Sequence, residues 1–317
     1  MNIFIPGGAG YIGAWLVPQL LADGHRVTVL DTMWFGDGHL PTDNDNLTII
    51  KDDIRHRTMM RVGMEGQDAI IYFAGISNND LCIKRPIVAE DVNKWVFRQI
   101  VMDAKDMGIK RFIYASSVAA YGSAENARET QPLKPTTPYG EAKAFCEDEL
   151  WKHGDEDFTV TVTRSASVCG YSPHQRFDLT ANRMARDAAM KGRITVNGGE
   201  QKRTHVHIQD ISDFYKLLLD APRQKVAGQA FNVVACNQSV LDTAFLVSRV
   251  IRKTEIDLKF KTDDRSYTVD GSKAMNIGFA PKRGVEDAVH DLKARFDLGM
   301  WTDAMTNPLY ENMKDAF

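Results

Sequence analysis

Tyr139 and Lys143 stand four residues apart in "PYGEAKAF", a spacing that brings two side chains to one face of a helix. A phenol ionises at about 10 and is a poor base near neutrality. An ammonium beside it favours the phenolate, so such a pair can take a proton from an alcohol. Upstream, "YASSVAAYG" supplies Ser116 and Ser117 at the end of an apolar run, where a hydroxyl can hydrogen-bond the oxygen that loses its proton. A second cluster opens the chain. In "NIFIPGGAGYIGAWL" Gly7, Gly10 and Gly13 recur every three residues, and Gly8, Gly10 and Gly13 also read as GxGxxG. Glycines between a strand and a helix let backbone N–H groups approach an anion at the positive helix end. Asp31 ends the next apolar run, "RVTVLD", where a carboxylate can accept hydrogen bonds from ribose hydroxyls and repels a 2′-phosphate. The cofactor this pattern fits is NAD, in preference to NADP.

These residues must be positioned by alternating strands and helices. "NIFIP", "RVTVLD", "LTIIKDD", "DAIIYFAG", "RFIYASS" and "FTVTVTR" read as strands, with helices over Tyr11–Asp23, about Pro86–Met107 and Tyr139–His153. "AIIYFA" and "FIYAS" are apolar without alternation, as in strands buried on both faces of a parallel sheet. The pattern predicts an α/β fold, a Rossmann-type doubly wound parallel sheet with a smaller C-terminal substrate-binding lobe. The dinucleotide-binding domain is expected over 1–164 with return elements at about 205–235, and the lobe over 165–204 and 236–317. A helix from about Leu179 to Lys191, another from about Asp210 to Leu219, a strand "AFNVVA" and an amphipathic helix after Pro281 complete the reading.

Composition narrows the classes. A net charge of −3 lacks the basic surplus of a nucleic-acid binder. No apolar run approaches the ~18 residues of a membrane span, and no secretory signal is evident at the N-terminus. Cys82, Cys146, Cys169 and Cys236 are scattered, as reduced thiols of a cytoplasmic protein would be. His205 and His207 share a strand face but lack a third ligand, so no metal is expected.

"GGAGYIG", Asp31, "DDIR", "YFAG", "SSVAAYG", "YGEAK" and "RTHVHIQD" occur in one order over about two-thirds of the chain. In that order they resemble the extended short-chain dehydrogenases/reductases of the NAD-dependent epimerase/dehydratase type. The resemblance implies catalytic roles for Ser117, Tyr139 and Lys143. It implies cofactor contacts from Gly7, Gly10, Tyr11, Ile12, Gly13 and Asp31, with Asp53 and Ile54 flanking the adenine. Phe73, Ala74 and Gly75 should line the cofactor with Asn93 in support, and Ser116, Ala166, Tyr139 and Lys143 join them. Ser117, Ser167, Arg176, Leu179, Arg203 and Arg265 are the implied substrate residues, the substrate being a nucleoside-diphosphate sugar. A homodimer is implied too, through the helices at about Pro86–Met107 and Tyr139–His153, with Val92, Val96, Gln99 and Ile100 as an apolar stripe with a polar edge.

The departures from the family pattern are informative. Pro6 replaces a usual threonine, and Ser167 replaces an asparagine that often binds the diphosphate. Family dehydratases carry an acidic pair after the catalytic serine, and here Val118 and Ala119 stand there, unable to transfer protons. Dehydration is therefore not expected, and the resemblance implies oxidation of the sugar at C4, a 4-epimerase first, with a 4-dehydrogenase or 4-ketoreductase, for example on a nucleotide-heptose or deoxysugar, as alternatives. A non-catalytic dinucleotide sensor is the other class, which the complete Ser–Tyr–Lys set argues against.

Overall fold

The computed structural model describes residues 1–260 and 266–312. Its strands are β1 (Asn2–Pro6), β2 (Arg26–Asp31), β3 (Leu47–Lys51), β4 (Ala69–Tyr72), β5 (Arg111–Ser117) and β6 (Thr159–Ser165). Then follow β7 (Ser167–Cys169), β8 (Arg193–Asn197), β9 (Lys202–His207), β10 (Gln229–Val233), β11 (Cys236–Ser239) and β12 (Glu255–Lys259). Seven of them form one parallel sheet in the order β10-β6-β5-β4-β1-β2-β3. The strand order reverses between β1 and β4, and a crevice beyond the carboxyl ends of strands at such a point is where doubly wound sheets bind ligands.

The apolar runs explain the burial. Ile3 and Ile5 enter the core on one face of the sheet with Leu16, Leu20 and Tyr215, while Phe4 enters the other with Met60 and Val101. A third core gathers Phe177, Met184, Val247, Val289 and Trp301 around the later helices. β7, β9 and β11 form a small sheet of their own, and β8 pairs with β12. The return to the main sheet starts with the helix Ile208–Asp220 and ends in β10. His205 and His207, placed by the sequence reading among the return elements, belong instead to the small sheet.

The helix Gly13–Ala22 stops before Gly24, whose φ of +84° suits a residue without a side chain. Thr137 caps the helix Pro138–Trp151, accepting a hydrogen bond from Gly140 N at 3.1 Å, with Pro138 in the first turn. The long helix expected at Pro86–Met107 is three segments: α over Pro86–Glu90, a π turn over Asp91–Trp95, and α again over Val96–Asp106. Val92 and Ile100 point into the sheet-side core, so the stripe proposed for dimer contact is turned inward there. A long amphipathic helix covering a sheet does this by default. The apolar side chains left outside on this helix are Ile87, Trp95 and Met102. A short helix, Arg57–Met64, was missed by the sequence reading, and its Gly63 lies against the Phe4 ring.

Candidate active site

A cleft of about 390 Å³ opens at the carboxyl ends of β1, β4 and β5, a size ordinary for a ligand site. Its floor is the glycine loop. Gly7 has φ +78°, and a Cβ there would lie 2.5 Å from Ala74 N, so the loop can run this close to β4 only without a side chain. A Cβ on Gly13 would lie 2.3 Å from the Gly8 carbonyl oxygen. Gly13 thus lets the loop fold back on the first helical turn. Pro6 keeps its place at the strand end because its carbonyl accepts from both Phe73 N and Ala74 N at 2.9 Å.

Asp31 leaves β2 and joins this loop: Oδ2 accepts from Ala9 N at 3.1 Å and Oδ1 from Met33 N at 3.0 Å. Burial pushes its carboxyl above the usual carboxylate range, against the pull of those two N–H groups. Met33 takes the left-handed conformation, φ +56°, in the turn that brings Trp34 and Phe35 to the cleft wall. Asp53 and Ile54 line the same end. Burial works to raise the Asp53 carboxyl, but the Arg55 side chain, donating at 3.0 and 2.8 Å, holds it below the ordinary value. Phe73, Ala74 and Gly75 form the wall after β4. Asn93 sits behind that wall, outside the cleft. Its Oδ1 accepts from Ile76 N at 2.7 Å and its Nδ2 donates to Ile76 O at 3.0 Å.

At the other end, β5 delivers the serines and the capped helix delivers Tyr139 and Lys143, all four at the cleft. The serine side chains diverge, as successive residues of a strand must. Ser116 Oγ donates to Glu147 Oε1 at 2.5 Å, and Glu147 is buried against Arg164. Ser117 Oγ accepts from Ala119 N at 3.1 Å, which leaves its own proton to give. Lys143 Nζ donates to Ala115 O at 2.7 Å and stands 5.5 Å from the centre of the Tyr139 ring. Its remaining two protons are available to a ligand. Val118 and Ala119 follow at the cleft with no group able to move a proton.

The opposite wall carries Ala166, Ser167, Arg176, Leu179 and Tyr267. Arg176 is held by Asp178, at 3.0 Å through Nε and 2.6 Å through Nη2, and reaches Ser77 Oγ at 3.0 Å through Nη1. Arg203 is buried on β9 and does not line the cleft itself. Its guanidinium stacks 5.4 Å from the centre of the Tyr267 ring, which does. Arg265 lies outside the described residues. His207 Nε2 lies 3.3 Å from Asp291 Oδ2, and among the described residues no His/Cys/Asp/Glu group is arranged to hold a metal. No helix among them is long and apolar enough to cross a membrane. The sequence reading missed Ser77, His174, Tyr267 and Asn312, which line the cleft from loops far apart in the chain. No local spacing marks them.

Residues 3–234 match the model of the NAD dependent epimerase/dehydratase family. The chain is 25% identical over 315 residues to a UDP-glucose 4-epimerase of Lactobacillus helveticus, covering 91% of this chain and 95% of that one. Among solved structures it superposes on UDP-glucuronic acid 4-epimerase of Bacillus cereus, in complex with UDP-glucuronic acid and NAD. The TM-score is 0.85 at 20% identity, over 94% and 99% of the two chains. The dTDP-glucose 4,6-dehydratase of Streptomyces venezuelae, solved with NAD bound, gives 0.84 at 23% identity over 96% and 99%. The glycine cradle, into which side chains at Gly7 and Gly13 would intrude, and the carboxylate at its edge suit the same dinucleotide. The chain belongs to the NAD-dependent epimerase/dehydratase family and is an NAD-dependent enzyme of the extended short-chain dehydrogenase/reductase type.

Proposed function

We propose that the protein is a nucleoside-diphosphate-sugar 4-epimerase working through a 4-keto sugar. The observation that carries this reading is the composition of one end of the cleft: Ser117, Tyr139 and Lys143 supply alcohol oxidation, and Val118 and Ala119 supply nothing further. Tyr139 takes the proton of the C4 hydroxyl, with the Lys143 ammonium 5.5 Å from its ring centre. Ser117 donates its free proton to the same sugar oxygen and holds it in place. NAD, when bound, would supply the hydride acceptor for C4 and, once the 4-keto sugar has turned over, the hydride donor to its other face. Lys143 offers its two unused protons to the ribose of the nicotinamide. Expelling the C6 hydroxyl would need an acid and a base beside Ser117, and the side chains there are apolar. Arg176, its charge shared with Asp178, and Arg203 behind Tyr267 are the cations assigned to the sugar's diphosphate.

A panel of nucleoside-diphosphate sugars deuterated at C4 tests the proposal. An epimerase leaves the label on C4 of an inverted product. Label in the nicotinamide together with a released ketosugar makes the enzyme a 4-dehydrogenase. A product that has lost water and gained solvent hydrogen at C6 overturns the reading of Val118 and Ala119. Absence of any turnover across the panel overturns the proposal and leaves the non-catalytic sensor.

A further inference from the structure

The loop between β7 and the helix Thr180–Lys191 crosses back over the glycine loop and grips it at Ala9 and Tyr11, on either side of Gly10. Ser172 Oγ donates to Tyr11 O at 2.7 Å, and Tyr11 Oη donates to Gly170 O at 2.6 Å. His174 Nδ1 lies 2.9 Å from Ala9 O. A carbonyl can only accept, so Nδ1 carries a proton. Ala9 is therefore held on both sides, its N–H by Asp31 from β2 and its C=O by His174 from the opposite wall. The peptide between these two anchors and the Tyr11 anchor belongs to Gly10, where the loop turns into the helix.

His174 is 4% exposed, lines the cleft, and is wedged between the rings of Phe35 and His39 at 5.2 and 5.1 Å. Its Nε2 is buried without a hydrogen-bond partner, beside the Asn312 side chain. Burial brings the imidazole down to about 4, and the neighbouring His39 and Arg176 also oppose a second proton. The ring is thus neutral through the ordinary pH range, in the tautomer that donates to Ala9. Neither Ser117, Tyr139 nor Lys143 needs it, and no part of the proton transfer uses it.

We propose that His174 is a positioning residue of the dinucleotide site: by donating to the Ala9 carbonyl it fixes the orientation of the glycine-loop N–H groups that receive the cofactor's diphosphate. A phosphate bound at a helix N-terminus depends on backbone N–H groups already pointing at it. A loop tip free to rotate about Gly10 would have to be ordered at the moment of binding, at the expense of affinity.

The proposal separates from a general packing role through isosteric variants and ligands with and without phosphate. NAD, ADP and adenosine are titrated calorimetrically into nucleotide-free full-length protein. His174→Phe keeps the ring and loses the donor, and should weaken NAD and ADP by about tenfold, the size of one buried hydrogen bond. Adenosine, which has no diphosphate, should bind as to the unmodified protein. In His174→Asn the amide nitrogen occupies the place of Nδ1 and should restore NAD binding to within about twofold. In His174→Gln it occupies the place of Nε2 and should not. If the Phe variant gives no folded protein, the Asn–Gln pair carries the same comparison. Unchanged NAD affinity in His174→Phe or His174→Gln overturns the proposal. So does adenosine weakened in parallel with NAD, or an Asn variant as weak as the Gln variant.

Discussion

The proposed mechanism gives Ser117, Tyr139 and Lys143 three separate tasks, and substitutions should separate them. Tyr139→Phe removes the proton acceptor while leaving the glycine loop and Asp31 in place. Turnover should fall by ~10²–10⁴ or more, with NAD affinity from calorimetry nearly unchanged. Ser117→Ala should cost less, since it removes a positioning hydrogen bond. Lys143→Met should harm both turnover and NAD affinity, because the same ammonium stands 5.5 Å from the centre of the Tyr139 ring and faces the cofactor cleft. At the opposite end, the residues after Asp31 are Thr32, Met33 and Trp34, none of them basic, so a 2′-phosphate would find no ion pair there. NAD should therefore bind clearly tighter than NADP, and Asp31→Ala should narrow the gap; equal affinities in the unmodified protein would remove Asp31 from this role. That Tyr139, Lys143 and the glycines meet at one cleft was legible in the sequence because it depends on local spacing: four residues along a helix, three along a loop. The different commitments of Ser116 and Ser117 were not legible, since they depend on where Glu147 and Arg164 lie. His174 and Asn312 were invisible for a related reason, being brought to the cleft by chain folding over long separations.

The strands β4 and β5 were readable because strands buried on both faces leave near-continuous apolar runs. The helix Arg57–Met64 escaped because eight residues carry little periodicity and Gly63, ordinarily a helix weakener, is there to admit the Phe4 ring. The π turn Asp91–Trp95 escaped entirely: widening one helical turn has no sequence signature, yet it sets the direction of Asn93. Such turns are rare and often sit at functional sites. Here both amide atoms of Asn93 bind the backbone of Ile76, and a Cβ on Gly75 would come within 2.9 Å of Asn93 Oδ1. The wall of the cleft after β4 thus leans on one side chain of a distorted helix. Asn93→Ala leaves the Ile76 N–H and C=O without those partners and should destabilise the fold by about 1–3 kcal/mol in chemical denaturation. NAD affinity should fall with it, because Gly75 loses its support. Unchanged stability with unchanged affinity would mean that water or a neighbouring group takes over both bonds.

On the scale of the whole molecule, the unresolved matter is what covers the helices on the outer face of the sheet. Ile87 is 83% exposed and Trp95 55%, both on the segment Pro86–Asp106, with Met102 further along it. Trp95 packs edge-on against Phe145 at 5.4 Å, joining this segment to the helix Pro138–Trp151. Large apolar side chains clustered across two adjacent helices are the kind of patch that a protein partner covers. A second copy of the chain would cover it by packing the same two helices against their equivalents in a four-helix arrangement. The contact residues are then Ile87, Trp95, Met102 and Phe145, in place of the inward-facing Val92 and Ile100. The helix carrying Trp95 also carries Asn93, and the helix carrying Phe145 also carries Tyr139 and Lys143, so association would brace both sides of the cleft. Light scattering at ~10 μM should give the mass of a dimer, a concentration at which moderately tight association is well populated. Trp95→Glu places a charge in the centre of the contact and should shift the mass toward the monomer without loss of the fold by circular dichroism. A monomeric mass for the unmodified protein at that concentration would leave the patch without a second copy to cover it and sink the assembly.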